Sequence, residues 1–229
     1  TLCLPQDTQA EAYDYPDYFL GKRVWHLDRL PLDSRSLGEA IKILCKSNKP
    51  LIIAGGGVHY SYASDTLRDF AKTFGFPVGE TQAGKSSMNW KDEMSVGAIG
   101  VTGTSAANIL ANDADVVLIV GSRLQDFTTA SKQIFKNDVK LLHLNVSKYD
   151  GLKMDGLTLN ADAKFGLECL KKELQQKNFH TGEDYCDKIS KLKRNWDAEV
   201  DRLYQLKSNK GNVQTNIVGI LNKFMKPED

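Results

Sequence analysis

The run Val116-Val117-Leu118-Ile119-Val120 constrains this chain more than any other feature. Apolar side chains at every position leave no polar face, so a strand made from them must be covered on both sides. Gly121 stops it. Leu51-Ile52-Ile53-Ala54 is a similar run, leading into Gly55-Gly56-Gly57. Pro77-Val78, Leu141 to Val146 and Leu157 to Leu159 read as further strands. Between them apolar residues recur at helical spacing: Leu37, Ala40, Ile41 and Leu44; Ala63, Leu67, Phe70, Ala71 and Phe74; Ala106 to Leu110; Ala163 to Leu174. Pro50 ends the first of these helices, Ser64 or Asp65 is the expected cap of the second, and Gly75 closes it. Buried strands alternating with helices predict an α/β fold, a six-stranded doubly wound parallel sheet over residues 36–176.

The flanks differ. Residues 1–35 hold Tyr13, Tyr15, Tyr18, Phe19 and Trp25 with Pro5, Pro16 and Pro31 among them, and no sustained period. This predicts an extended segment lying against something, because so many aromatics are seldom left in water. Residues 177–229 carry Tyr185, Ile189, Leu192, Trp196, Val200 and Leu203 three or four apart, one long amphipathic helix whose stripe is expected to face a neighbouring domain. A break over Ser208–Gly211, a shorter helix from Val213 to Phe224, and Pro227 follow.

Composition excludes several classes. With 30 Lys and Arg against 29 Asp and Glu, the net charge of +1 argues against a dedicated nucleic-acid binder. No apolar run approaches the roughly 20 residues of a membrane span, so no membrane partner is expected. The four cysteines (Cys3, Cys45, Cys169, Cys186) form no Cys-x-x-Cys pair, and Cys45 and Cys169 fit helical apolar patterns as small buried residues. The four histidines are dispersed, with no zinc-ligand spacing.

Several glycine-rich strand ends fall on the edge where open parallel sheets bind ligands. Gly55, Gly56 and Gly57 permit close approach of a phosphate, and Glu80 falls where a ribose-binding acid would sit. The dinucleotide fingerprint wants a further glycine where Tyr60 stands. The competing reading is a tight turn with no ligand. Gly79 to Ser86 matches the P-loop string, but only Pro77-Val78 precede it and no helical period follows. Gly103-Thr104 opens a helix that Thr104 or Ser105 can cap, and Gly121-Ser122-Arg123 ends the best strand. No nucleophile-and-base arrangement stands out. On the residues alone a stand-alone FAD, ADP or NAD module and a P-loop NTPase remain open.

Gly100-Val-Thr-Gly-Thr104, Ala114-Asp115 through Gly121-Ser-Arg123 to Asp126, and His143-Leu-Asn-Val146 resemble the middle domain of thiamine-diphosphate-dependent enzymes. Leu4 to Pro16, Lys22 to His26 and Glu80 to Lys85 resemble more closely a cytoplasmic branch that opens a cyclic diketone by C–C hydrolysis in myo-inositol catabolism. The resemblance implies an enzyme of three α/β domains, of which this chain is the excised middle one. Thr1 to Asp7 would then end the preceding pyrimidine-binding domain, and Val213 to Phe224 would begin the diphosphate-binding domain. The absent initiator Met fits the same expectation.

Thiamine diphosphate and Mg²⁺ would be held elsewhere, since Asp150-Gly151 and Asp155-Gly156 lack the preceding Gly of the family's Gly-Asp-Gly string. The catalytic Glu belongs to the preceding domain, so no catalytic residue is expected in this chain. The implied partners are the flanking domains of the same polypeptide, a homo-oligomeric assembly and the diketone substrate. Some members bind FAD or ADP in the middle domain, at positions matching Gly103, Thr104, Gly121, Ser122, Arg123, Asn145 and Asp162; many carry an acid where this chain has Asn145.

Overall fold

The computed structural model describes residues 2–209, 211 and 213–226. Thr1, Lys210 and Pro227, which entered the reading above, lie outside them. Two short helices come first, α1 (Gln6–Ala10) and α2 (Asp17–Leu20). The α/β unit then runs α3 (Ser34–Leu44), β1 (Pro50–Ala54), α4 (Gly57–Tyr60), α5 (Ser64–Phe74), β2 (Val78–Glu80), β3 (Ser95–Ala98), α6 (Ser105–Asp113), β4 (Val116–Val120), α7 (Asp126–Thr129), β5 (Lys140–Asn145), α8 (Lys148–Leu152), β6 (Leu157–Asn160) and α9 (Ala163–Gln176). Helices α10 (Glu183–Tyr204) and α11 (Gln214–Phe224) follow.

The six strands form one all-parallel sheet in the order β3-β2-β1-β4-β5-β6. The doubly wound expectation holds. The strand not located from the pattern is β3, whose Ser95-Val96-Gly97-Ala98 is short, contains glycine and pairs irregularly with β2. Alternation divides each buried strand between two cores. Ile52, Ala54, Val116, Leu118, Val120, Leu142 and Leu144 meet α3, α5 and α9 on one face. Leu51, Ile53, Val117 and Ile119 meet α6 and α10 on the other. On the first face Phe70, Phe74 and Phe76 are wholly buried and pack edge-on or tilted. Burial of each contributes about 2–3 kcal/mol.

Local chemistry sets the helix ends. Gly75 closes α5 at φ +74°, the left-handed cap that glycine adopts without strain. Neither Ser64 nor Asp65 caps α5; the N-cap position is Ala63, with no side-chain bond. Thr104 caps α6, accepting from the Ala107 N–H at 3.0 Å. The Thr104 hydroxyl also donates to the Val96 carbonyl at 2.6 Å, and its N–H donates to that of Ala98 at 2.8 Å. Both acceptors lie on edge strand β3, so Thr104 blunts a sheet edge as well as starting a helix.

The flanks depart from expectation. The stripe of α10 does not await a neighbour: Ile189 is fully buried, and Leu192 and Trp196 pack on the same core. The Tyr185 hydroxyl donates to the Pro50 carbonyl at 3.0 Å. Lysines 49, 136 and 188 converge on Asp113 at the end of α6 and pin α10 there. The Lys188 hydrogen bond, with those of Lys136 and Lys49, holds the Asp113 carboxyl well below the usual carboxylate range. The N-terminal segment, expected to lie against something, is exposed from Leu2 to Leu30. Leu2 to Pro5 pairs with no strand, so the stub of a preceding sheet is not formed among the described residues. Cys45 is exposed, because α3 ends one residue before it, and Cys169 is half-buried.

Candidate functional site: the crevice at the carboxyl edge

The strand order reverses between β1 and β4, whose following loops run to opposite sides and leave a crevice at the carboxyl edge. A hollow of about 820 Å³ lies there, lined by Gly56, Thr81, Arg123, Phe127 and Asn145 among others. A second, of about 310 Å³, adjoins it beneath Leu27 to Leu30 and reaches Leu144 and Asp162. Gly57, Tyr60, Gly121 and Asn145 border both. The topology thus gathers most of the residues singled out from sequence. Gly103 and Thr104 are separate; they line neither hollow.

The glycines serve backbone packing. A Cβ on Gly55 would lie 2.4 Å from the Gly121 carbonyl oxygen, and one on Gly57 would lie 2.5 Å from Gly121 Cα. The loops leaving β1 and β4 touch, and only glycine fits between them. A phosphate cradle also needs free N–H groups. Here Gly55 N donates to Val120 O, Gly57 N to Gly121 O and Val58 N to Gly55 O. Of the four N–H groups from Gly55 to Val58, only that of Gly56 is left without an acceptor among the described residues.

The polar side chains are engaged too. Asn145 Nδ2 donates to Ser122 O at 3.2 Å, and its Oδ1 accepts from Ser147 N at 3.0 Å, so the residue ties the ends of β4 and β5 together. The Ser122 hydroxyl accepts from Leu124 N at 3.3 Å. Asp162 Oδ2 accepts from Arg29 at 2.8 Å and from Ser61 at 2.9 Å, while Oδ1 accepts from Lys164 N and Phe165 N as the cap of α9. Burial works against its charge, but the hydrogen bonds from Arg29 and Ser61 prevail and hold the carboxyl below its ordinary range. Arg123 alone of these residues is an exposed charge, with no ion pair among the described residues.

These contacts bear on the nucleotide readings. For an FAD or ADP diphosphate the N–H groups of Gly55, Gly57, Val58, Gly103, Thr104 and Gly121 are already taken, no acid stands at Asn145, and Asp162 is held by Arg29; the glycine turn after β1 does not offer the group a cradle. Glu80 does not fit a nicotinamide ribose either. Its side chain turns inward, 3% exposed, and accepts from Met88 N at 2.8 Å. Burial pushes its pKa up. The P-loop look-alike is not a phosphate loop. Gln82–Gly84 is a single 3₁₀ turn capped by Thr81, the next regular element is strand β3, and a Cβ on Gly84 would lie 2.1 Å from the Ala54 carbonyl oxygen.

Two features escaped the sequence. The Arg29–Asp162 pair joins residues 133 positions apart and carries no local pattern. On β5, His143 is 1% exposed and neither ring nitrogen has a partner among the described residues. Gly151 and Gly156 pack on the ring, which places both Asp-Gly pairs around a histidine. Burial draws the His143 pKa down to about 4; Lys153 adds to this and Asp150 opposes it.

The topology and the crevice define a doubly wound α/β domain whose strand order is that of the dinucleotide-binding folds. Residues 37–170 match the family described as "Thiamine pyrophosphate enzyme, central domain", and the chain belongs to that family. It is 42% identical over 227 residues to the 3D-(3,5/4)-trihydroxycyclohexane-1,2-dione hydrolase of Clostridium tetani, covering 99% of this chain and 35% of the relative. It is 44% identical over 208 residues to the enzyme of the same name from Bacillus thuringiensis, covering 90% of this chain and 32% of the relative. The chain therefore spans about a third of the length of these relatives.

Proposed function

We propose that the chain is the central domain of a thiamine-diphosphate-dependent hydrolase that opens 3D-(3,5/4)-trihydroxycyclohexane-1,2-dione by C–C cleavage in myo-inositol catabolism. The observation that carries the reading is the reach of the similarity. It extends over 99% of the chain, so it takes in the exposed N-terminal segment and α10 as well as the span shared across the family. The reaction adds water across a ring C–C bond: that bond breaks, one carbon gains hydroxyl and the other hydrogen. Thiamine diphosphate supplies the carbanion chemistry when bound.

The residues of this chain do not fit the cofactor. No three carboxylate, imidazole or thiol groups converge among the described residues, Asp150 is paired with Lys153, and Glu80 is tied to a backbone N–H. We therefore assign Mg²⁺ and the diphosphate to the flanking domains and give this domain a scaffolding role. Residues 1–35 and 177–229 join it to those domains, with α10 assigned to the central unit. A homo-oligomer and a cytoplasmic location complete the reading; no helix among the described residues is long and apolar enough to cross a membrane.

The test is expression of the complete reading frame with thiamine diphosphate and Mg²⁺. Consumption of the diketone, with a product heavier by one water, supports the proposal. A complete polypeptide that binds thiamine diphosphate yet leaves the diketone intact overturns the substrate assignment. The 229-residue chain alone is expected to be inactive and to show no micromolar binding of thiamine diphosphate by calorimetry.

A further inference from the structure

The carboxyl edge of the sheet carries a surface that the chain itself leaves uncovered. Tyr60 and Tyr62 follow β1, Val101 follows β3, Phe127 follows β4, and Val146 and Tyr149 follow β5. In that order they are 84%, 81%, 61%, 46%, 65% and 74% exposed. They are scattered through the sequence and meet because every strand of a parallel sheet ends on the same edge. Part of the set meets at one hollow: Tyr60, Phe127 and Val146 border it, the Val101 N–H donates to the Phe127 carbonyl at 3.0 Å, Tyr62 lies two residues from Tyr60, and Tyr149 precedes Asp150, which also lines the hollow. Arg123 stands among them without an ion pair among the described residues.

Together these side chains expose on the order of 600 Å², at the upper end of the largest patch that a typical monomer leaves in water, and such patches are often functional. Tyrosine, phenylalanine and arginine are also the residues that interface cores favour. The N-terminal segment leaves from this rim. Asp162 N donates to Leu30 O at 2.9 Å, and Arg29 donates to Tyr60 O at 3.1 Å with its guanidinium 5.7 Å above the Tyr62 ring. Beyond it Tyr15 stacks on Phe19 and meets Tyr13 edge-on, all three exposed. A body that covers the segment therefore reaches the sheet edge as well.

We propose that the carboxyl edge, centred on Tyr60, Phe127, Tyr149 and Arg123, is the seat of another domain of the same polypeptide, which presents a carboxylate to Arg123 and apolar sockets to the aromatic rings. The relative lengths argue for this occupant. The chain aligns over 99% of itself yet spans 35% of the Clostridium tetani relative, so about two thirds of such a polypeptide is available to cover the face. The proposal rests on the chain being part of a longer polypeptide of that kind; it does not depend on the substrate assignment.

The experiment compares the 229-residue chain with the complete polypeptide by hydroxyl-radical footprinting at Tyr60, Phe127 and Tyr149, and by melting of the Tyr60→Asp/Tyr149→Asp double variant. The expected result is several-fold lower labelling in the complete polypeptide. The variant is expected to leave the melting of the chain unchanged and to lower that of the complete polypeptide by roughly 5 °C or more. Equal labelling in the two forms overturns the proposal. So does a chain that is itself dimeric and becomes monomeric in the variant, which would make a second copy the occupant.

Discussion

Acid stability puts His143 to the test. Its ring is buried on β5 under α8, unpartnered among the described residues, with its pKa drawn from 6.5 down to about 4. The sign follows from linkage. Above pH 6.5 the imidazole is neutral in both states and has no effect. Between 6.5 and 4 the unfolded chain takes up the proton and the folded chain does not, so stability falls as pH falls; below 4 both are protonated and the loss levels off. Between about pH 7.5 and about pH 4.5 the group removes about 2.5 kcal/mol, near two pKa units at 1.36 kcal/mol each. Other groups titrate over the same range, so the informative quantity is a difference. His143→Leu keeps the bulk and removes the titration. Urea unfolding across this range should show stability falling about 2.5 kcal/mol more in the parent than in the variant. Parallel pH profiles in the two proteins would refute the reasoning, since they would mean that the folded imidazole protonates as readily as the unfolded one.

Gly57→Ala should cost several kcal/mol or prevent folding, because the new methyl meets Gly121 Cα at 2.5 Å, backbone against backbone; Gly38→Ala, with nothing within 4 Å in helix α3, should raise stability by about 0.5–1 kcal/mol in the same thermal melts. Tyr185→Phe leaves the buried Pro50 carbonyl without its side-chain donor and should cost about 1–2 kcal/mol by urea titration. Asp113→Asn removes the anion on which Lys49, Lys136 and Lys188 converge; it should destabilise by about 1 kcal/mol at low ionic strength and by less in high salt, since the lysines are part-exposed. Lys85→Ala should leave isothermal titrations with ATP as flat as those of the parent, because residues 79–86 contain a single 3₁₀ turn and the next regular element is a strand, not a helix.

Much of the architecture was legible because it depends on short-range periodicity. The continuous apolar runs at 51–54 and 116–120 required burial on both faces, and that requirement, with the helical spacing between the runs, selects a parallel sheet between helical layers. β3 was not legible, since four residues with a glycine and mixed burial give no period to read. The α10 stripe was read correctly as a helix face, but its cover was left between a neighbouring domain and the sheet itself, and it packs on the sheet: spacing shows that a face is apolar and says nothing of what lies opposite.

The candidate site divides along the same line. From sequence alone one could place Gly55–Gly57, Gly121–Arg123 and Asn145 at strand ends and so on one edge, because a parallel sheet brings its carboxyl ends together whatever the details. Whether those groups were free for a ligand depended on contacts between distant segments. Gly57 meets Gly121, Asn145 reaches Ser122, and Asp162 takes Arg29 from 133 residues away. A glycine that opens a cradle and a glycine that lets two loops touch are the same letter. Only the tertiary structure distinguishes them, because it alone shows where each N–H and each missing Cβ points.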